Sequence, residues 1–147
     1  MIFYKKRAMM KSRETQEQEI VKRIGMAIKF WRKLSGYNQE TFSQIIDTSR
    51  SYVAKLETGG TGVSINKINE IARALRLSPF TLLGGVPNKE ALNILMGLYN
   101  NYQLNISRSE LEILFCTRLG KKKLSRDYYI HQLCILRSGV YSCKMQK

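Results

Sequence analysis

The stretch Gln39-Glu40-Thr41-Phe42-Ser43-Gln44-Ile45-Ile46-Asp47-Thr48-Ser49-Arg50-Ser51-Tyr52-Val53-Ala54-Lys55-Leu56-Glu57 decides how this chain is read. Phe42 and Ile46 share one face of a short helix, and Val53 and Leu56 share one face of another. Asn38 suits the N-cap of the first, which the pattern carries to Ile46, and Ser49 suits the N-cap of the second. Asp47-Thr48 breaks the pattern between them. Helices this close in sequence need a tight turn, with a small residue where they approach most closely. Ser43 is that small residue and Asp47 sits in the turn.

Working outward, Ile20, Ile24, Ala27/Ile28 and Trp31 recur at helical steps, which places a preceding helix over 17–35, ended by Gly36. Downstream, Thr58-Gly59-Gly60-Thr61-Gly62 ends the second motif helix. Ser64 caps a fourth helix with Ile65, Ile68, Ile71/Ala72 and Leu75 inward. Ser78-Pro79 opens a fifth, in which Phe80, Leu82 and Leu83 close the core before Gly84-Gly85. The expectation is an all-α domain of five short helices over 17–86, preceded by a basic N-terminal arm over 1–16. Pro87-Asn88 marks a boundary, and residues 87–147 read as a small helical C-terminal domain. Its helices are expected at about 88–102 (Leu92, Leu95, Leu98, Tyr99, Tyr102), 108–119 (Leu111, Leu114, Phe115, Leu119) and 126–137 (Tyr128, Tyr129, Ile130, Leu133, Leu136). The second opens with the capping box Ser107-x-x-Glu110 and the third with Ser125. There is no internal repeat and no low-complexity segment.

With these elements in place, the chain resembles the lambda-repressor-like, Cro/Xre-type helix-turn-helix family over residues 20–85. The matching text is Arg32-x-x-x-Gly36-x-x-Gln39-Glu40-x-Phe42, then Thr48-Ser49-Arg50-Ser51-Tyr52-Val53-x-x-Leu56-Glu57-x-Gly59, then Ile68-x-x-Ile71-Ala72-x-Ala74-Leu75-x-Leu77-Ser78-x-x-x-Leu82-Leu83. Two positions depart from the family pattern: Asp47 stands where Gly is usual and Ser43 where Ala is usual. Aspartate tolerates a left-handed backbone and serine is small, so neither threatens the fold.

The resemblance implies binding of double-stranded DNA, with the helix at 49–58 in the major groove. It implies that Gln39 and Ser49 meet phosphate and that Arg50, Ser51 and Lys55 face the groove floor. It also implies a structural salt bridge between Arg32 and Glu57. Helical geometry points the same way, because with Val53 and Leu56 inward, positions 50, 51, 54 and 55 face outward. Arg50 can make two hydrogen bonds to guanine O6 and N7, and Ala54 can meet a thymine methyl. Tyr52 can reach phosphate with its phenol; Asn38, Thr58 and Lys67 complete the expected DNA-facing set. The glycines of the loop 59–64 either bring backbone N–H groups close to phosphate or simply let the chain turn. The basic leader over 1–16 reads either as a solvated terminus or as an arm on DNA.

Composition is consistent with that partner. The net charge is +14, with 15 Lys/Arg against 7 Asp/Glu in residues 1–86 and 10 against 4 in residues 87–147, so both halves are basic. Such a balance suits nucleic acid, an anionic membrane or an acidic protein. No apolar run is long enough to span a bilayer, and the N-terminus has the wrong order of charge and apolar residues for a signal peptide. A cytoplasmic protein of the bacterial cytoplasm or nucleoid, or of a phage, is expected. Cys116, Cys134 and Cys143 are odd in number and form no CxxC pair, which argues against a disulfide scaffold. His131, the only histidine, lies three residues before Cys134, too poor a ligand set for zinc. No metal, no cofactor and no enzymatic activity are expected, since neither GxxxxGK[ST] nor HExxH occurs.

The leading expectation is a dimeric, sequence-specific transcriptional regulator, a repressor or autoregulator, because two-fold pairing doubles the site one helix reads. Residues 87–147 would dimerise, dock on the first domain or bind a protein partner. The Lys121–Lys123 loop with Arg126 is either a phosphate contact or a solvated loop. The alternative is an antitoxin-type or other protein-binding module whose helix-turn-helix serves autoregulation. A sequence-indifferent architectural binder is a third reading.

Overall fold

The computed structural model describes residues 2–84, 89–116 and 125–138, with side chains from residue 13 onward. Expectations for Gly85, Pro87-Asn88, Leu119, Lys121–Lys123 and Cys143 lie outside the described residues. The chain divides into two compact units, Met1–Val86 and Pro87–Lys147. Among the described residues all regular structure is helical: α1 (Ile2–Leu34), α2 (Gln39–Ile45), α3 (Arg50–Thr58), α4 (Ile65–Leu75), α5 (Pro79–Gly84), α6 (Lys89–Tyr99), α7 (Arg108–Cys116) and α8 (Arg126–Arg137).

In the first unit, α1 begins at Ile2, not near Glu17 as periodicity suggests. Residues 2–24 contain neither glycine nor proline and are rich in Lys, Arg, Met, Glu and Gln, all good helix formers, so nothing stops the helix. Apolar periodicity registers only the buried part. Residues 13–20 are all exposed, Ile20 among them at 57%, and the core stripe starts at Ile24 and runs through Ala27, Ile28 and Trp31. Gly36, at φ 80°, ends the helix, with the Tyr37 N–H donating to the Arg32 carbonyl at 3.2 Å.

The motif helices form because each has a cap. Asn38 Oδ1 accepts from the Thr41 N–H at 2.7 Å and opens α2. Ser49 Oγ accepts from the Tyr52 N–H at 3.1 Å and opens α3. Between them Asp47 takes a left-handed φ of 48°, and the Thr48 N–H closes the turn on the Ser43 carbonyl at 2.8 Å. Ser43 is buried and returns its hydroxyl to the Glu40 carbonyl at 2.7 Å, so its polar atom is satisfied within its own helix.

Ser64 caps α4, which ends on Arg76 at φ 55°. Ile68, Ile71, Ala72 and Leu75 are buried as expected, but Ile65 is 77% exposed. As the first residue after the cap it precedes the point where α4 meets the core. In α5 the expected inward set needs correction. Leu82 is buried with Thr81, while Phe80 and Leu83 are 78% and 42% exposed. At 100° per residue, 80 and 83 share a face turned away from 82.

In the second unit, Ala91, Leu95, Leu98, Ile106, Leu111, Leu114, Phe115, Tyr129 and Leu133 form the core. Helix α6 stops at Tyr99, short of the expected residue 102, and Tyr102 is exposed. Asn101 explains the stop: its Oδ1 accepts from the Gln103 N–H at 3.0 Å, a side-chain turn that competes with the helix. The capping box is formed, with the Glu110 N–H donating to Ser107 Oγ at 3.2 Å and the Ser107 N–H donating to Glu110 Oε2 at 2.9 Å. Arg137, at the end of α8, donates to Glu110 Oε1 at 2.8 Å and to the carbonyls of Leu104 and Asn105. Its hydrogen bond holds the Glu110 carboxyl down at about 2. Burial pushes the Tyr129 phenol up to about 12.

Candidate nucleic-acid interface

The candidate surface is the outward face of α3. Val53, Leu56 and Glu57 are buried, which fixes the rotation of the helix and turns Arg50, Ser51 and Lys55 out to solvent. Tyr52 and Ala54 lie half-buried at the edges of this face. Among the described residues neither Arg50 nor Lys55 enters an ion pair, so both charges are uncommitted.

Two features hold α3 in this orientation. The first is polar. Arg32 of α1 grips Glu57 with two hydrogen bonds, Nε to Oε1 at 2.5 Å and Nη2 to Oε2 at 3.1 Å. Arg32 Nη1 also donates to the Tyr37 carbonyl at 2.6 Å. Both residues are buried, at 5% and 4% exposure, and their many hydrogen bonds are what makes a buried pair tolerable. The second feature is steric. A Cβ on Gly25 would stand 2.2 Å from the Leu56 carbonyl oxygen, so α1 and the end of α3 meet backbone to backbone. One turn away, a Cβ on Gly59 would stand 2.8 Å from Lys22 Cα, and Gly59 has φ 75°. Neither close approach was expected from the sequence. The available signal was a glycine inside an otherwise strong helical period, which marks a backbone contact when it is retained at a cost in helix propensity.

Several expected contacts are committed elsewhere. Gln39 Nε2 donates to Glu57 Oε2 at 2.9 Å, so its amide joins the Arg32–Glu57 cluster instead of standing free for phosphate. Lys67 Nζ donates to the Ile46 carbonyl at 2.9 Å and pairs with Glu70 at 2.6 Å, tying α4 to the end of α2. The Asn38 and Ser49 side chains serve as caps. The Thr58 hydroxyl points back to the carbonyls of Ala54 and Lys55. In the glycine loop, the N–H groups of Gly59 and Gly60 are spent on Leu56 and Lys55 carbonyls at 3.2 and 2.8 Å. The surface beside that loop also carries Glu14 and Glu17. Both facts favour a loop that turns over one that cradles phosphate.

His131 and Cys134 are both exposed on α8, and no group of His, Cys, Asp or Glu among the described residues is arranged to hold a metal ion. No described helix is long and apolar enough to cross a membrane.

Two capped helices at a tight turn, with the second braced on a longer first helix, define a DNA-binding helix-turn-helix domain. Residues 28–82 match the helix-turn-helix family, and this segment is a Cro/C1-type, lambda-repressor-like helix-turn-helix of the kind found in DNA-binding regulators. None of the curated proteins compared matches the chain.

Proposed function

We propose that the chain is a sequence-specific regulator of transcription that lays α3 in the major groove of double-stranded DNA. One observation carries this reading. Arg50 and Lys55 are uncommitted cations on the outward face of a helix whose rotation is locked by the buried Arg32–Glu57 pair. A rigid helix of about 10–12 Å diameter fits a major groove about 12 Å wide. Arg50, in the first turn, reads guanine; Lys55, one turn on, meets phosphate or a base. Ser51, Tyr52 and Ala54 complete the contact, and the Asn38 and Ser49 caps set the helix ends that face the backbone. The protein acts in the cytoplasm as a homodimer, most simply as a repressor or autoregulator, because two copies double the sequence read.

A second reading has residues 87–147 bind another protein, with the helix-turn-helix serving autoregulation as in an antitoxin. It is favoured by the separate core of this unit and by the exposed Tyr102 and Ile113. Selection from a pool of random duplexes separates the readings. Enrichment of a two-fold symmetric motif supports the regulator. Tight binding without an enriched motif, fading steeply with salt, contradicts it.

A further inference from the structure

Helix α1 carries a second row of cations, beside α3. Lys22, Lys29 and Lys33 are all exposed, and among the described residues none of them enters an ion pair. The cations next to them are committed: Arg23 pairs with Glu19, and Arg32 with Glu57. At about 100° per residue, positions 22, 29 and 33 fall within about 40° of one another and form one stripe about 16 Å long.

The contacts between α1 and α3 fix where this stripe lies. Gly25 meets the Leu56 carbonyl, Lys22 Cα lies against Gly59, and Arg32 grips Glu57, so this row of α1 runs across the C-terminal end of α3. The three lysines stand within about a quarter turn of Gly25 and Arg32, on the side away from the buried Ile24, Ala27, Ile28 and Trp31. They therefore form a shoulder on the flank of α3. A glycine set against a carbonyl brings the two helix axes to roughly 8 Å, the close end of helix packing. A major groove about 12 Å wide is filled by α3 alone. A helix this close to its flank then meets the wall of the groove, which is phosphate. We propose that Lys22, Lys29 and Lys33 form a phosphate-binding track for the DNA strand that borders the groove occupied by α3. The track rests on the reading of α3 as the groove helix; it adds affinity and register without sequence information. It has a definite end. Glu19 is held by Arg23, and Glu14 and Glu17 lie beside the 59–62 loop, so the cationic stripe stops at Lys22. An acidic protein would suit the charge as well, but the position beside α3 favours DNA, because both surfaces then serve one ligand.

The test uses the full chain and the duplex that the parent selects. Lys22→Gln, Lys29→Gln and Lys33→Gln are combined, and binding to that duplex and to an unrelated one is measured across a range of salt. The expected result is weaker binding to both, with the selected motif unchanged. The slope of log affinity against log salt should fall by about 2–3, roughly 1 per lysine. Ethylation interference, which reports single phosphates, should lose one discrete group of sensitive phosphates and keep the others. The matching variant with Lys22→Arg, Lys29→Arg and Lys33→Arg should keep the parent slope. An unchanged slope overturns the proposal. If the melting temperature falls as well, the lysines serve the negative C-terminal end of α3 instead. A reduced slope with every phosphate still sensitive also overturns it, because diffuse charge then accounts for the effect. A parent that binds no duplex sinks the reading of α3 and the track together; a parent motif kept alongside an unchanged slope sinks the track alone.

Discussion

Gln39 makes a bond within the protein that a linear sequence does not reveal. The family pattern assigns its amide to phosphate, yet here it donates to Glu57 at 2.9 Å and joins the start of α2 to the end of α3. Nothing in a linear sequence pairs positions 18 apart, so only the fold could reveal this bond. A hydrogen bond to a charged acceptor stabilises by roughly 1.5–3 kcal/mol. Gln39→Leu is therefore expected to lower the stability of the free protein by that amount in urea unfolding. A residue serving only as a phosphate ligand would leave free-protein stability unchanged. Gly25 makes a sharper case. Alanine in mid-helix would gain about 1 kcal/mol in propensity. Its Cβ would stand 2.2 Å from a backbone carbonyl that no rotamer can move. The clash prevails, and Gly25→Ala is expected to destabilise by about 1–3 kcal/mol net, as overpacking typically does. A more stable variant in the same unfolding measurement would contradict the α1–α3 contact.

At the scale of elements, starts were read well and burial less well. Asn38, Ser49, Ser64, Ser107 and Ser125 all stand immediately before their helices, because a cap is a local device whose donor and acceptor lie within three residues. The turn at Asp47 was readable for the same reason. Ile65, Phe80 and Leu83 were misplaced inward since short helices give too few turns for apolar periodicity to distinguish a face from a flank. The start of α1 was missed because a helix without a buried stripe leaves no apolar period to detect. The capping box at Ser107 and Glu110 was readable, but its coupling to Arg137, 27 residues on, was not. That coupling has a consequence in acid. Arg137 lowers the Glu110 carboxyl from 4.5 to about 2 in the folded protein. A depressed carboxylate contributes stability above its unfolded value and loses it as pH falls through the folded one. The contribution is thus full above pH 4.5 and gone below about 2. Since Arg137 is partly exposed, solvent screening reduces it. Urea unfolding of the full chain at pH 5 and at pH 2.5 should show a loss in the parent that is smaller in Glu110→Gln. An equal loss in both would remove Glu110 from the account.

For the molecule as a whole, the charge of +14 was visible from composition, but which cations remain free to act was not. Ion pairing and backbone hydrogen bonds withdraw Arg32 and Lys67 and leave Arg50 and Lys55 uncommitted on α3. Affinity for DNA should fall steeply with salt as counterions return to phosphate. If Lys55 meets a phosphate, Lys55→Gln reduces the slope of log affinity against log salt by about 1, with the sequence preference kept. An unchanged slope would assign Lys55 to solvent. Arg50 carries the central claim, that the outward face of α3 reads bases. The most direct test is selection from random duplex DNA by the parent protein and by Arg50→Ala side by side. The account predicts a two-fold symmetric motif for the parent. In the variant the same motif should lose its preference at one position in each half-site, with affinity for the parent motif weaker by about 1–3 kcal/mol. A parent that enriches no motif, or a variant that selects the parent motif unaltered at every position, would contradict it.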